Sequence, residues 1–156
     1  MRNAPYVGTD PQVWLQKFNF STSIKVRYCE TDILGHVNNV SYFIYFEQGR
    51  VEYLDRLGLR DELFNDRTIT VVADLECQYL SQIYIQDPLK LHVRVAKIGR
   101  SSFDLEYAIV QADTGVLKAT GRGAMVHIDK AQGSSTPIPE AVREKFAGLE
   151  GQGLAR

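Results

Sequence analysis

From Asn39 to Leu57 the chain sets Phe43, Phe46, Tyr53, Leu54 and Leu57 at helical spacing, and Val40, Tyr42, Ile44 and Tyr45 widen the apolar stripe beyond that of a surface helix. A helix of this kind has to be enclosed. The enclosing material follows it: stretches at about 68–79, 89–98, 102–112 and 116–128 are dense in β-branched and aromatic residues. A fifth stretch, Ser21 to Glu30, alternates before the helix, with Ile24, Val26 and Tyr28 on one face and Lys25, Arg27 and Cys29 on the other. Asp87-Pro88, Gly99-Arg100-Ser101 and Asp113-Thr114-Gly115 leave only short connections, which force antiparallel neighbours. The order strand, helix, four strands therefore predicts an α+β domain: one long central helix wrapped by a curved, five-stranded antiparallel sheet. Such a sheet has open edges, and pairing two copies edge to edge would cover them.

Residues 1–20 hold two prolines, a glycine and scattered aromatics, and read as an arm packed by Trp14 and Phe18 rather than a regular element. Residues 21–130 form the domain. Residues 131–156 begin as a linker, AQGSSTPIP, followed by a short helix from Glu140 to Phe146 and a frayed end, GLEGQGLAR; the tract Asp61 to Arg67 reads as a polar connector. A chain of 156 residues with 44% hydrophobic composition suits a single core. With 18 Lys plus Arg against 19 Asp plus Glu, it offers no basic surface for nucleic acid or an anionic membrane. No apolar run approaches the roughly 20 residues of a membrane span, and Cys29 and Cys77 form no CxxC pair. The expectation is a cytoplasmic protein with free thiols.

The loop that leads into the helix, ETDILGHVNN, carries the chemistry. Gly35 permits close backbone approach, Asn38 is a good helix N-cap, and Gly58 with Leu59 can close the other end of the helix. An isolated Asp32 would read as an Asx-turn acid. Here it stands near the positive end of a helix dipole, beside backbone N–H groups of Val37 to Asn39 that could receive a carbonyl oxygen gaining negative charge. A base or nucleophile next to such donors is the minimum apparatus for acyl transfer. His36 either orients the loop by hydrogen bonding or moves a proton. Glu47 is a rival acid on the helix, with Arg50 three residues on as its ion-pair partner. Cys29 reads as a packed thiol. His36, His92 and His127 share no metal-ligand spacing, and no metal is expected.

The run Tyr28-x-x-Thr31-Asp32-x-x-Gly35-His36-Val37-Asn38-Asn39-x-x-Tyr42-Phe43 resembles the loop and helix start of hotdog-fold acyl-CoA thioesterases of the hydroxybenzoyl-CoA thioesterase superfamily, in a GHVNN-containing subgroup. The resemblance extends over about residues 21–129 through the order of elements. It implies the hotdog fold, hydrolysis of an acyl-CoA to free acid and coenzyme A, Asp32 as nucleophile or general base, and the Asn39 backbone N–H polarising the thioester carbonyl. Gly35 would let the substrate approach, Asn38 is a cap first and a substrate or water ligand second, and Tyr42, with Phe43 and Phe46, either packs in the core or lines an acyl tunnel at the substrate. Arg100, Ser101 and Ser102 would meet the phosphates of coenzyme A, and Arg122, between two glycines, is a weaker candidate for the same task. Ile33 stands where the hydroxybenzoyl enzymes carry proline, and with HVNN it moves the substrate from an aromatic toward a fatty acyl group, hence toward lipid metabolism. HVNN is also similar to the acyl-carrier-protein thioesterase motif, but Leu34 replaces the asparagine found there. The family further implies a homodimer or homotetramer and no separate cofactor. Two other activities fit the same fold: an acyl-CoA or acyl-carrier binder that does not hydrolyse, and an enoyl-CoA hydratase.

Overall fold

The computed structural model describes residues 3–156. A short helix, α1 (Pro11–Leu15), precedes strand β1 (Ser21–Ile24) and the central helix α2 (Asn39–Arg56). A one-turn helix, α3 (Arg60–Leu63), then leads into β2 (Thr68–Tyr79), β3 (Leu89–Ile98), β4 (Ser102–Gln111) and β5 (Leu117–Asp129). The chain ends in a two-residue strand, β6 (Ser134–Ser135), and helix α4 (Glu140–Glu150). All strand pairings are antiparallel, in the order β1-β3-β4-β5-β2, with β6 added to β5. The curled sheet around one helix is the hotdog fold.

Helix α2 starts and stops where its caps dictate. Asn38 is extended and its Oδ1 accepts the Val40 N–H at 3.0 Å; Gly58, at φ +64°, turns the chain away and Leu59 N–H closes on Leu54 O. Tyr42, Tyr45, Phe46, Gly49, Tyr53 and Leu54 make the buried face, at i, i+3 and i+4 spacing. The stripe is narrower than its sequence suggests: Val40 and Ile44 are 60% and 47% exposed, because the sheet wraps one side of the helix only. Two glycines fix how closely helix and sheet approach. A Cβ on Gly49 would collide with Leu91 of β3, and one on Gly121 of β5 would lie within 2.6 Å of the Phe46 ring, which stacks on Tyr107 at 4.6 Å.

The strand alternation read from Ser21 to Glu30 ends early. Only Ser21–Ile24 pairs with β3, and Tyr28–Glu30 forms a 3₁₀ turn, because the Glu30 carboxylate is drawn inside by the Arg27 N–H, the Arg27 guanidinium and the Tyr45 hydroxyl (2.6 Å). Tyr28 is consequently 83% exposed, and Cys29 is exposed rather than packed. The N-terminal arm, apart from residues 1 and 2, which lie outside the described residues, is more ordered than expected. Asp10 caps α1, and Trp14 seats against the outer face of β4 with its Nε1–H on the Glu106 carboxylate at 2.7 Å and Phe18 edge-on at 4.9 Å. The polar connector contains α3 because Leu63 needs a buried seat.

The far end is not frayed. Helix α4 continues past Phe146 to Glu150, whose carboxylate accepts the Tyr53 hydroxyl and the Val95 N–H, and Ala155 exchanges backbone bonds with Ala96 and Ile98 at 2.9 Å each. Residues near the end thus occupy the part of β3 that the short β1 leaves unpaired. On the opposite side β2 is an edge strand, and Val71 and Val72 stand 39% and 43% exposed along it.

Candidate active site

The loop before α2 is folded by its own acid. Asp32 Oδ1 accepts the N–H groups of Leu34 (2.8 Å) and His36 (3.2 Å), its N–H bonds His36 O, and its carbonyl takes the Gly35 N–H. Gly35 sits at φ +78°, a conformation that side chains resist. The Asx turn read as the ordinary role for this residue is therefore present, yet it engages one carboxylate oxygen. Oδ2 takes no hydrogen bond among the described residues, and Asp32 lines a cleft of about 420 Å³ at the start of α2.

The backbone donors at the helix start are fewer than the sequence suggested. Val37 N–H is used by Ile83 O (2.8 Å) and Asn38 N–H by Glu30 O (2.7 Å), so neither is free. The Asn39 N–H has no acceptor among the described residues, and Asn39 lines the same cleft. One uncommitted donor at a helix N-terminus, carrying the positive end of the dipole, thus belongs to a residue that shares the cleft with Asp32. Asn38 spends its side chain on the cap. Tyr42, 3% exposed, also lines the cleft; burial pushes its hydroxyl up to about 12, so it stays protonated at neutral pH and can donate. His36 shapes the loop through its backbone, while its ring packs edge-on against Tyr84 at 5.0 Å.

The opposite wall was invisible in the sequence. Tyr79 at the end of β2 donates to Asn39 O (3.0 Å) and stands edge-on to Tyr42, and the following Leu80, Ser81 and Gln82 complete the cleft. Lys118, almost buried, holds that segment by donating to Gln82 O (3.0 Å) and Ser81 Oγ (3.3 Å). These contacts span dozens of residues, and no local pattern signals them.

Other expected participants lie elsewhere. Arg100, Ser101 and Ser102 occupy the β3–β4 turn, where Ser102 pairs with Val126, whereas the cleft adjoins Lys118 at the other end of β5. Within one chain the two places are about 25 Å apart along the strand. Arg122 is already paired with Asp104 (3.1 Å) and Asp74 (3.3 Å). The ion pair expected between Glu47 and Arg50 does not form: Glu47 is exposed, while Arg50 turns inward and donates to the Tyr107 hydroxyl at 3.3 Å. Cys77 is half-buried, and burial raises its thiol to about 12, which keeps it an inert packing group. Among the described residues no group of three or more His, Cys, Asp or Glu is placed to hold a metal ion, and no helix is long and apolar enough to cross a membrane.

Comparison with known proteins places this architecture. A family profile, described as thioesterase-like superfamily, matches residues 26–146 and so takes in the loop, the helix and the sheet. The chain belongs to that superfamily. It is 35% identical over 144 residues to the protein YsmA of Bacillus subtilis, covering 92% of this chain and 96% of that one. It is similar to the acyl-CoA thioesterase YbgC of Haemophilus influenzae, at 26% identity over 133 residues, 84% of this chain and 96% of the other. Of solved structures, it superposes on a Thermus thermophilus thioesterase crystallised with coenzyme A and zinc with a TM-score of 0.75 at 34% identity, covering 88% of this chain and 98% of that one.

Proposed function

We propose that this thioesterase-like protein hydrolyses acyl-CoA thioesters, with a preference for fatty over aromatic acyl groups, and that it belongs to the GHVNN-containing subgroup. One observation carries the reading. The cleft at the start of α2 brings together a carboxylate with one uncommitted oxygen, Asp32 Oδ2, and one uncommitted backbone donor, the Asn39 N–H. A thioester carbonyl placed on the Asn39 N–H gains a donor that strengthens as the oxygen becomes negative, an interaction worth about 3 kcal/mol in comparable sites. Tyr42 supplies a protonated hydroxyl close by. Asp32 then either takes a proton from the attacking water or adds to the carbonyl itself; in both cases the C–S bond breaks, the sulfur leaves as the coenzyme A thiolate, and water supplies the oxygen of the released acid. Gly35 and Asn38 act by shaping the loop and capping the helix, and His36 by fixing the turn. This chemistry uses no cofactor beyond the coenzyme A of the substrate.

Two copies joined along β2 would complete the site. Antiparallel pairing of β2 with its own copy sets the Thr68 end of one strand beside the Tyr79 end of the other, which carries the turn at Arg100, Ser101 and Ser102 of the second copy toward the Asp32 cleft of the first. Those residues then meet coenzyme A phosphates across the contact. The exposed Val71 and Val72 support that edge as the surface that pairs.

The test is release of free thiol from a panel of fatty and aromatic acyl-CoAs. Turnover of the fatty substrates with release of one thiol per acid formed supports the proposal. Ligands that raise the melting temperature but release no thiol make the protein a binder, and loss of enoyl absorbance without thiol release makes it a hydratase.

A further inference from the structure

A second pocket, of about 470 Å³, opens between the later turns of α2 and the first half of β2. Val51, Leu54, Phe64, Val72 and Met125 make apolar wall, and Glu47, Asp55, Arg60 and Thr70 line it as well. Arg50, a residue only 8% exposed, lines it. No carboxylate lies within ion-pair distance of its guanidinium among the described residues, and one hydrogen bond, to the Tyr107 hydroxyl, is all the protein provides. Nearby acids do not fill the role: Asp55 is held by Arg60 at 2.6 Å, and Glu47 sits exposed at the rim. A largely buried positive charge with one neutral hydrogen-bond partner has donors left over, and a ligand that brings a carboxylate to them gains a charge-assisted pair.

The pocket and the Asp32 cleft lie along the same helix–strand pair, toward its opposite ends. Helix α2 and strand β2 run side by side in opposite directions, so Asn39 faces Tyr79 at one end and Arg50 faces Val72 and Thr70 at the other. Phe43, Leu75 and Cys77, all half-buried, lie between. From Asn39 to Arg50 is eleven residues of helix, about 16 Å. A thioester held at Asn39 would extend its acyl chain along this apolar track toward Arg50.

We infer that Arg50 is a specificity-determining residue that selects acyl groups bearing a carboxylate at the end remote from the thioester. This rests on the acyl-CoA reading given above. The guanidinium receives the carboxylate through two parallel N–H donors, the apolar walls hold the intervening chain, and Tyr107 keeps the guanidinium oriented. An unsubstituted chain leaves Arg50 unpaired and is the poorer substrate.

Matched pairs of straight-chain acyl-CoAs, with and without a terminal carboxylate, test the inference in short, medium and long lengths. At the best length, kcat/KM is expected to favour the carboxylate-ended substrate at least tenfold. In Arg50→Met that preference disappears through loss on the carboxylate series alone, and Arg50→Lys, which restores a charge without the planar fork, recovers part of it. Free dicarboxylic acids provide a readout independent of turnover: they raise the melting temperature of the wild type and not of Arg50→Met. If no acyl-CoA is hydrolysed at all, the thioesterase reading fails while this binding arm still decides the role of Arg50. Equal kcat/KM for both series, or a proportional loss for both in Arg50→Met, as a residue bracing the fold or the contact between copies would give, overturns the inference.

Discussion

Replacing Asp32 in two ways separates its two oxygens. In Asp32→Asn the side-chain oxygen can still accept the Leu34 and His36 N–H groups, now at 2.8 and 3.2 Å, so the Asx turn survives. The uncommitted oxygen becomes an amide nitrogen, which neither takes a proton nor attacks a carbonyl. Turnover should fall by about 10²–10⁴, the range for removing a positioned base, which corresponds to about 3–5 kcal/mol of transition-state stabilisation. The melting temperature should stay within about 1 °C of the wild type. Asp32→Ala loses activity as well, but also strands the two N–H groups in a half-exposed loop, at about 0.5–1 kcal/mol each. A drop of about 4 °C in melting temperature follows for a chain of this length. Thiol release on the best acyl-CoA and thermal unfolding, measured on all three proteins, provide the comparison. If Asp32→Asn keeps even a third of wild-type turnover, the carboxylate is not the reacting group; if Asp32→Ala melts with the wild type, the loop does not depend on its acid.

Two further outcomes follow from the packing. Gly121→Ala places a methyl within 2.6 Å of the Phe46 ring and 3.1 Å from Glu76 O, contacts that only a shift of β5 or α2 relieves; destabilisation of about 1–3 kcal/mol is expected in urea unfolding, and an unchanged midpoint would show that the helix has room to move. Burial lowers the pKa of His127, 1% exposed and 3.1 Å from Thr70 Oγ1, while burial and then Lys90 lower that of His92. Because the unfolded imidazoles take up protons at about 6.5 and the folded ones only lower, this contribution to stability is intact above about pH 6.5 and is lost as the pH falls from there through the folded values. Glu106 and Glu150, raised by burial, act with the opposite sign in the adjoining range. The decisive quantity is therefore a difference: His127→Asn should lose stability less steeply than the wild type between about pH 7 and about pH 5, and an identical slope would remove His127 as a contributor.

The fold was legible because its signals are local. Apolar spacing identifies α2, Asn38 and Gly58 mark its ends, and the bounds of β2 and β3 follow from β-branched runs between turn residues. What escaped depends on contacts between distant positions. Glu30 ends β1 early because Tyr45, on the next element, reaches it; Glu150 holds the end of the chain because Tyr53 and Val95 are there to be met. The same division runs through the candidate site. Asp32, Gly35, Asn38 and Asn39 adjoin one another in sequence and their geometry can be read from turn and cap chemistry. Tyr79, the Leu80–Gln82 wall and Lys118 join them only through the sheet register, and the inward turn of Arg50 is set by Tyr107 on β4. A helical spacing of three between Glu47 and Arg50 allows an ion pair but does not compel one when a buried hydroxyl competes for the arginine.

The loop that holds Asp32 is tied to itself. Its acid is fixed by two amides of the same turn, while Ile33 at the tip is fully exposed and Leu34 is 71% exposed. The turn that fixes the carboxylate and the side chains that face outward are therefore separable in evolution: mutation at the tip can change what the protein touches around the cleft without disturbing the bonds that hold Asp32. Two side chains can therefore change what the loop meets while the turn that holds the acid stays as it is.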